Sequence, residues 1–165
     1  MNNVKEYLKE KEKIIETEKE RGDAAGIAAE REMEKLRQVK SMLDGMVFND
    51  DLGVDIATNL EGQYRRAGSE FLSETKAIED SAKEALEINK NELEGERAKI
   101  ERARDTARDI RGTSDLAADA ASTAERQLDD RADEYRQKEI LTDNIVNEQT
   151  ARQQNNRRKF ENIFG

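Results

Sequence analysis

Carboxylates are the most abundant side chains in this sequence that could do chemistry. The chain has 38 Asp and Glu residues but no His and no Cys. Ser–His and Cys–His nucleophilic sites therefore cannot be assembled, and zinc loses its preferred ligands. A carboxylate pair acts as general acid and base only when burial in a cleft shifts a pKa. Because 41% of the residues are charged, little apolar material remains to form a cleft. We predict no enzyme activity, no metal and no cofactor.

Two short motifs have simpler explanations than a binding site. Asp129, Asp130 and Asp133 form an acidic cluster, but the glycine and the order of oxygen ligands of a calcium loop are missing. A solvated helix face explains them better. Arg21-Gly22-Asp23 matches an adhesion tripeptide in sequence only, within a stretch rich in Glu, Lys and Arg. We expect a chance match.

The composition predicts long helices. Proline is absent, so nothing forces a helix to kink or stop, and Glu, Lys, Arg, Ala, Gln and Leu are strong helix formers. Large apolar residues are too few for a thick core, whereas a coiled coil needs only two apolar positions in seven. The predicted fold is all-α: an elongated antiparallel coiled-coil bundle of about three long helices.

Apolar spacing and glycine-containing breaks divide the chain into four parts. We predict an N-terminal helix at 1–46, a long central helix at 52–111 and a third helix at 114–146. The Lys- and Glu-rich front of the first helix, where Lys11 and Glu18 occupy apolar positions, is expected to be exposed or frayed. Between the first two helices, Met46, Val47 and Phe48 are expected to plug the end of the hairpin.

The last part, 147–165, is predicted to be a polar basic tail that ends in an apolar docking segment. It carries four basic residues against two acidic ones. Phe160, Ile163 and Phe164 follow at helical spacing, next to Arg157 and Arg158. These five residues are the candidate partner-binding site, suited to a groove on another subunit. A frayed terminus is the alternative.

Charge and hydropathy limit the partners. The formal net charge of −9 repels phosphate backbones, so direct nucleic-acid binding is not expected. No apolar run reaches the length of a membrane span. The N-terminus lacks the apolar stretch of a signal peptide, which predicts synthesis in the cytoplasm and leaves specialised export or virus assembly open. Protein partners are expected, above all sister copies in a homo-oligomer or neighbouring virion subunits.

Two resemblances suggest where such a protein would work. Tyr135 and Glu139 resemble the Tyr-x-x-x-Glu export signal of helical-hairpin substrates of type VII secretion. The Trp-x-Gly turn of that family is absent, and Leu52-Gly53 stands instead. Because Tyr135 lies in the apolar stripe of the third helix, we interpret it as a residue of the helix seam.

Residues from about 95 to 160 resemble the internal virion, or ejection, proteins of short-tailed bacteriophages. A Gly-x-Ser break (Gly112, Ser114) precedes a helix with the element Glu125-Arg126-Gln127, and the polar stretch 149–158 follows. The resemblance implies a multi-copy structural protein near the portal that is released with the genome. The small-residue, weakly apolar N-terminus common in that family is missing here, which argues against a membrane channel.

The sequence therefore predicts a non-enzymatic structural or assembly protein. We expect a phage virion component of the internal core, neck or tail that acts by coiled-coil oligomerisation. One alternative is a helical-hairpin accessory or substrate of a secretion system, with Tyr135 and Glu139 exposed on a flexible tail. Another is a cytoplasmic coiled-coil adaptor, which predicts a parallel dimer.

Overall fold

A computed structural model describes the backbone of residues 2–165 and the side chains from Lys5 onward. Three helices account for nearly all of it: α1 (Asn2–Asp44), α2 (Asp51–Thr113) and α3 (Ala118–Phe164). Within this described part there is no strand. The all-α prediction is confirmed, as expected for a chain of strong helix formers without proline.

Polar residues define the breaks between helices. The backbone N–H of Gly53 donates to Asp50 Oδ1 at 2.7 Å, so Asp50 caps the start of α2. Residues 114–117 separate α2 from α3, where the backbone N–H of Ser114 still donates to the carbonyl of Ile110 at 3.0 Å. The first break lies where the sequence predicts it, whereas α2 continues to Thr113 and α3 starts only at Ala118.

The chain folds as two units, each built from pieces of all three helices. Unit 1 comprises Met1–Thr17 and Glu84–Val146, and unit 2 comprises Glu18–Lys83 and Asn147–Gly165. The core of unit 1 is a cluster of large side chains with partly buried apolar neighbours around it. The buried members of this cluster are Ile15, Leu86, Leu93, Tyr135 and Ile145.

Most side chains in the front of α1 are exposed, as predicted, but Tyr7, Ile15 and the stem of Lys11 pack into unit 1. Ile15 is buried and Tyr7 packs against the cluster. Lys11 is also buried, yet its ammonium group pairs with Glu92 and lies 5.0 Å from the centroid of the Tyr7 ring. A lysine can bury its methylene stem while its charge reaches a partner. The Val4 side chain, assigned to the same stripe, lies outside the described residues.

Unit 2 combines small residues on α1 with polar residues on α3. Gly22 and Gly26 are buried, and a Cβ built on Gly22 would stand 2.5 Å from Gln149 Nε2. The absence of these side chains lets Gln149 donate to the carbonyl of Lys19 at 3.2 Å. Asn156 donates to the carbonyl of Gly26 at 3.0 Å. Glycine at these two positions therefore allows a close approach of polar side chains to the α1 backbone.

Residues 147–164, predicted as a polar tail, are instead the last part of α3, which runs without a break to Phe164. Gln149 and Asn156 are almost fully buried, with exposures of 1% and 2%. Their amides form hydrogen bonds inside unit 2, so this segment does not need large apolar side chains to pack. The polar composition of this segment therefore does not indicate a tail outside the helices.

Candidate functional site

The apolar residues predicted to bind a partner are partly used inside unit 2. Phe160 is half-buried and lies at Gly68 of α2, where an added Cβ would stand 3.0 Å from Phe160 Cε2. The rings of Phe160 and Phe164 are tilted against each other, with centroids 5.2 Å apart. Ile163 is also half-buried, in a groove beside Met33 of α1. Each of the three residues thus keeps part of its surface accessible on an ordered helix rather than a frayed end.

The neighbouring cations form an exposed basic surface. Arg157 is exposed and its Nε lies 3.3 Å from Glu161 Oε1, one turn further along α3. Lys159 Nζ lies 3.8 Å from Glu30 Oε1, near the limit of an ion pair. Arg158 is exposed and takes part in no ion pair within the described chain. We call residues 157–164 the basic end; its role in binding a partner stays a prediction.

The largest exposed apolar surface of unit 2 lies at the connection between α1 and α2, residues 42–56, which we call the acidic tip. Val47 is 86% exposed, Met42 71% and Leu52 70%. Seven large apolar side chains are exposed within these 15 residues: Met42, Met46, Val47, Phe48, Leu52, Val54 and Ile56. Scattered exposed apolar residues are normal, whereas such a concentration is typical of surfaces that bind another molecule.

Met46, Val47 and Phe48 therefore do not plug the hairpin end, contrary to the prediction. Phe48 lies against the chain: a Cβ built on Gly53 would stand 2.2 Å from Phe48 Cδ1. Its ring thus lies directly on the backbone at Gly53, yet 40% of the residue remains exposed. Met46 is 44% exposed and Val47 is almost fully exposed.

The acidic tip carries negative charge that the chain itself balances only in part. Residues 41–64 contain no Lys or Arg but five carboxylates, from Asp44 to Glu61. Lys40 Nζ pairs with Glu61 at 2.8 Å and with Asp44 at 2.9 Å. Both hydrogen bonds raise the pKa of Lys40, and the bond to Glu61 has the larger effect. Asp51 and Asp55 are exposed and form no ion pair in the described part of the chain.

Unit 2 also buries a carboxylate without a cation in contact. Glu79 is 2% exposed, and its Oε2 atom has no hydrogen-bond partner within the described residues. Burial raises the pKa of Glu79, and the more distant positive charge of Lys83 only partly opposes this. A polar atom left unsatisfied in a helix bundle costs stability, so Glu79 makes the stability of unit 2 depend on pH.

Tyr135 and Glu139 lie in unit 1 and are both buried, with exposures of 2% and 5%. The Tyr135 ring stacks on Tyr7 with a centroid distance of 6.3 Å. Arg97 forms two hydrogen bonds with Glu139. The interpretation of Tyr135 as a seam residue is confirmed. An export signal, by contrast, requires these two side chains to be accessible.

Within the described residues, no group of three or more His, Cys, Asp or Glu side chains is arranged to hold a metal ion. The helices of that part also include none that is long and apolar enough to cross a membrane. No family model, curated protein sequence or solved structure matches the chain. The acidic tip and the basic end are the two surfaces that bear on function. The sequence indicates the apolar triplet of the acidic tip, but not its exposure.

Proposed function

We propose that this chain is a non-enzymatic structural or assembly protein that works in many copies by packing helices against sister or neighbouring subunits. The observation that carries the proposal is the acidic tip, with its exposed Val47, Met42 and Leu52. Apolar area of this kind is removed from water when proteins associate, at roughly 25 cal/mol per Å². A catalytic role would instead need converging polar groups in a sheltered cavity.

We further propose that each unit is an antiparallel coiled coil of three helices. In unit 2, Asp23 of α1 pairs with Arg152 of α3, and Glu30 approaches Lys159, so both helices advance by seven residues between the two contacts. A seven-residue step is the heptad of a coiled coil. The direction of α2 is opposite, because Arg21 contacts Ser81, whereas the later residue Lys40 contacts the earlier residue Glu61.

The basic end supplies the second half of the proposed assembly. Phe160, Ile163 and Phe164 would complete their burial against an adjacent subunit, and Arg157 and Arg158 would pair with its carboxylates. In support, the three apolar residues are only half-buried and both arginines are exposed. Their own unit thus positions them on a helix without fully covering them.

The setting that fits this proposal is a bacteriophage virion, as an internal core, neck or tail-associated component. Its basis is the resemblance of residues 95–160 to ejection proteins. The Gly112–Ser114 element lies where α2 ends, and Glu125-Arg126-Gln127 lies in α3. The secretion-substrate alternative is less well supported because Tyr135 and Glu139 are buried. A cytoplasmic adaptor remains the alternative if the chain forms only a parallel dimer.

Light scattering after gel filtration tests the assembly, using the full chain and a variant that ends at residue 159. We expect the full chain to form oligomers and the truncated chain to remain monomeric. A second variant that ends at residue 162 keeps Phe160 on Gly68, so a loss of folding can be separated from a loss of docking. A monodisperse monomer at all concentrations, unchanged by truncation, would contradict assembly from sister copies. Portal and tail genes beside the coding gene would support the virion setting.

A further inference from the structure

We propose that the acidic tip of one copy binds the basic end of a second copy. This inference rests on the proposed function and names the partner of the acidic tip. The acidic tip combines exposed apolar side chains with Asp51 and Asp55, whose charges no cation of the described chain balances. Its partner must therefore be apolar and positively charged at the same time.

Charge excludes two simpler partners. If two acidic tips met each other, Asp51 and Asp55 of both copies would be brought together, and like charges at an interface are destabilising. An anionic lipid surface would be repelled for the same reason. Residues 41–64 offer no Lys or Arg to offset either contact. The apolar side chains can therefore be covered only by a surface that brings its own cations.

The basic end meets this requirement. Residues 157–159 are three consecutive cations, and Phe160, Ile163 and Phe164 follow within one and a half turns. Arg158 has no ion pair within the described chain and Lys159 has only the long contact with Glu30. With Glu161 included, the basic end has a net charge of +2, which outweighs the partial charge of about −0.5 at the C-terminus of a helix.

The basic end does not cover the acidic tip of its own chain. Phe160 is held at Gly68 and beside Leu36, and Ile163 lies in the groove next to Met33. The groove of Ile163 reaches as far as Asp44, at the edge of the acidic tip, but the side chains of Val47 and Leu52 remain exposed. A second molecule is needed to bring cations to them.

Contact between different surfaces of two copies has a predictable outcome. Each molecule would carry one donor, the basic end, and one acceptor, the acidic tip. Such a heterologous contact produces a closed ring when the rotation between neighbours closes, and an open filament when it does not. A symmetric dimer would use the same surface twice and is not expected from this pairing.

A charge-swap experiment on the full chain tests the pairing. We expect Asp51→Lys with Asp55→Lys to weaken self-association about tenfold or more at low salt, measured by sedimentation velocity over a range of concentrations. Arg158→Glu with Lys159→Glu should weaken it by a similar factor. Combining all four changes should restore association to within a few-fold of the unaltered chain, because the two charges are exchanged rather than lost.

The chain offers a matched control. Glu70→Lys with Glu74→Lys makes the same change in net charge at the same four-residue spacing, on exposed positions of α2 outside the acidic tip. We expect this variant to associate like the unaltered chain. Val47→Ser with Leu52→Ser, at two strongly exposed positions, should reduce association without lowering the helical circular-dichroism signal.

The outcomes separate this inference from the proposed function. If the chain forms oligomers that the tip variants leave intact, the inference is wrong but assembly from sister copies stands. If tip variants abolish assembly while the basic-end variants do not, the tip binds another surface and the proposed pairing is also wrong. If the unaltered chain is monomeric at every concentration, assembly from sister copies and the proposed pairing are both wrong.

Discussion

Arg97 of α2 holds the buried carboxylate of Glu139 of α3 through two hydrogen bonds, with Nε 2.7 Å from Oε2 and Nη2 3.1 Å from Oε1. The hydrogen bonds to Glu139 raise the pKa of Arg97 more than those to Glu101 do. Since Glu139 is 5% exposed, its charge depends on this guanidinium for compensation. The pair joins two helices of unit 1 and fixes their register.

Glu139→Ala is expected to lower the free energy of unfolding by about 1–3 kcal/mol, because Arg97 would lose its main partner and a buried gap would remain. Urea denaturation followed by circular dichroism measures the change. Asp133→Ala is the control, since Asp133 pairs with Arg136 on the surface of the same helix. It should change stability by less than about 0.5 kcal/mol. Equal effects of the two substitutions would show that the buried Arg97–Glu139 pair contributes no more to the free energy of unfolding than a surface ion pair.

Gly22→Ala is expected to destabilise unit 2 even though alanine favours helices. The new Cβ would stand 2.5 Å from Gln149 Nε2, an atom held by its hydrogen bond to the Lys19 carbonyl. Gly62→Ala is the matched control, because nothing lies within 4 Å of its Cβ position. It should stabilise the protein by up to about 1 kcal/mol. Thermal unfolding of both variants measures the difference, and a higher Tm for Gly22→Ala would refute the close approach of Gln149.

Glu79→Gln is expected to stabilise the protein at neutral pH and to have little effect in acid. Burial raises the pKa of Glu79 above its usual value in the folded state, so folding carries its full penalty at pH values above that raised pKa. The penalty shrinks as pH falls below the raised pKa and is gone once pH is below the usual pKa, where the carboxylate is protonated in the folded and the unfolded chain. We expect a gain of about 1 kcal/mol at pH 7 that shrinks towards pH 4, measured by urea denaturation at both values.

The exposed Glu74 of the same helix provides the comparison for Glu79. Glu74→Gln should change the free energy of unfolding little at either pH, since an exposed carboxylate remains solvated in both protonation states. The same gain from both substitutions would attribute the effect to net charge rather than to burial.

The first two helices and the break between them were predictable from the sequence because their causes are local. Asp50 caps α2, and the apolar spacing predicts Tyr135 as a buried residue. The burial of Gln149 was not predictable from its polar neighbours, because the space it fills is opened by Gly22, far away in the sequence. Only the pairing of α1 with α3 shows that both residues belong to one interface.

The exposure of the acidic tip was missed for a related reason. The sequence shows Met46, Val47 and Phe48 beside a turn, and apolar residues in such places usually fold inward. Whether they can do so depends on which helix reaches them. In unit 2, the contact of Phe160 with Gly68 and the groove that Ile163 shares with Met33 and Asp44 place the end of α3 at the edge of the tip. The position of the end of α3 relative to the acidic tip cannot be read from the residues near the turn.

Unit 2 is built from two segments that are far apart in the chain, and this affects folding during translation. The segment Glu18–Lys83 leaves the ribosome well before Asn147–Gly165, which completes that unit. During the interval, Met33 and Leu36 lack Ile163 and Phe160 of α3, which lie beside them in the finished protein. A nascent chain with uncovered apolar residues is prone to aggregate or to recruit a chaperone, so slow translation near the 3′ end of the message would prolong its most vulnerable state.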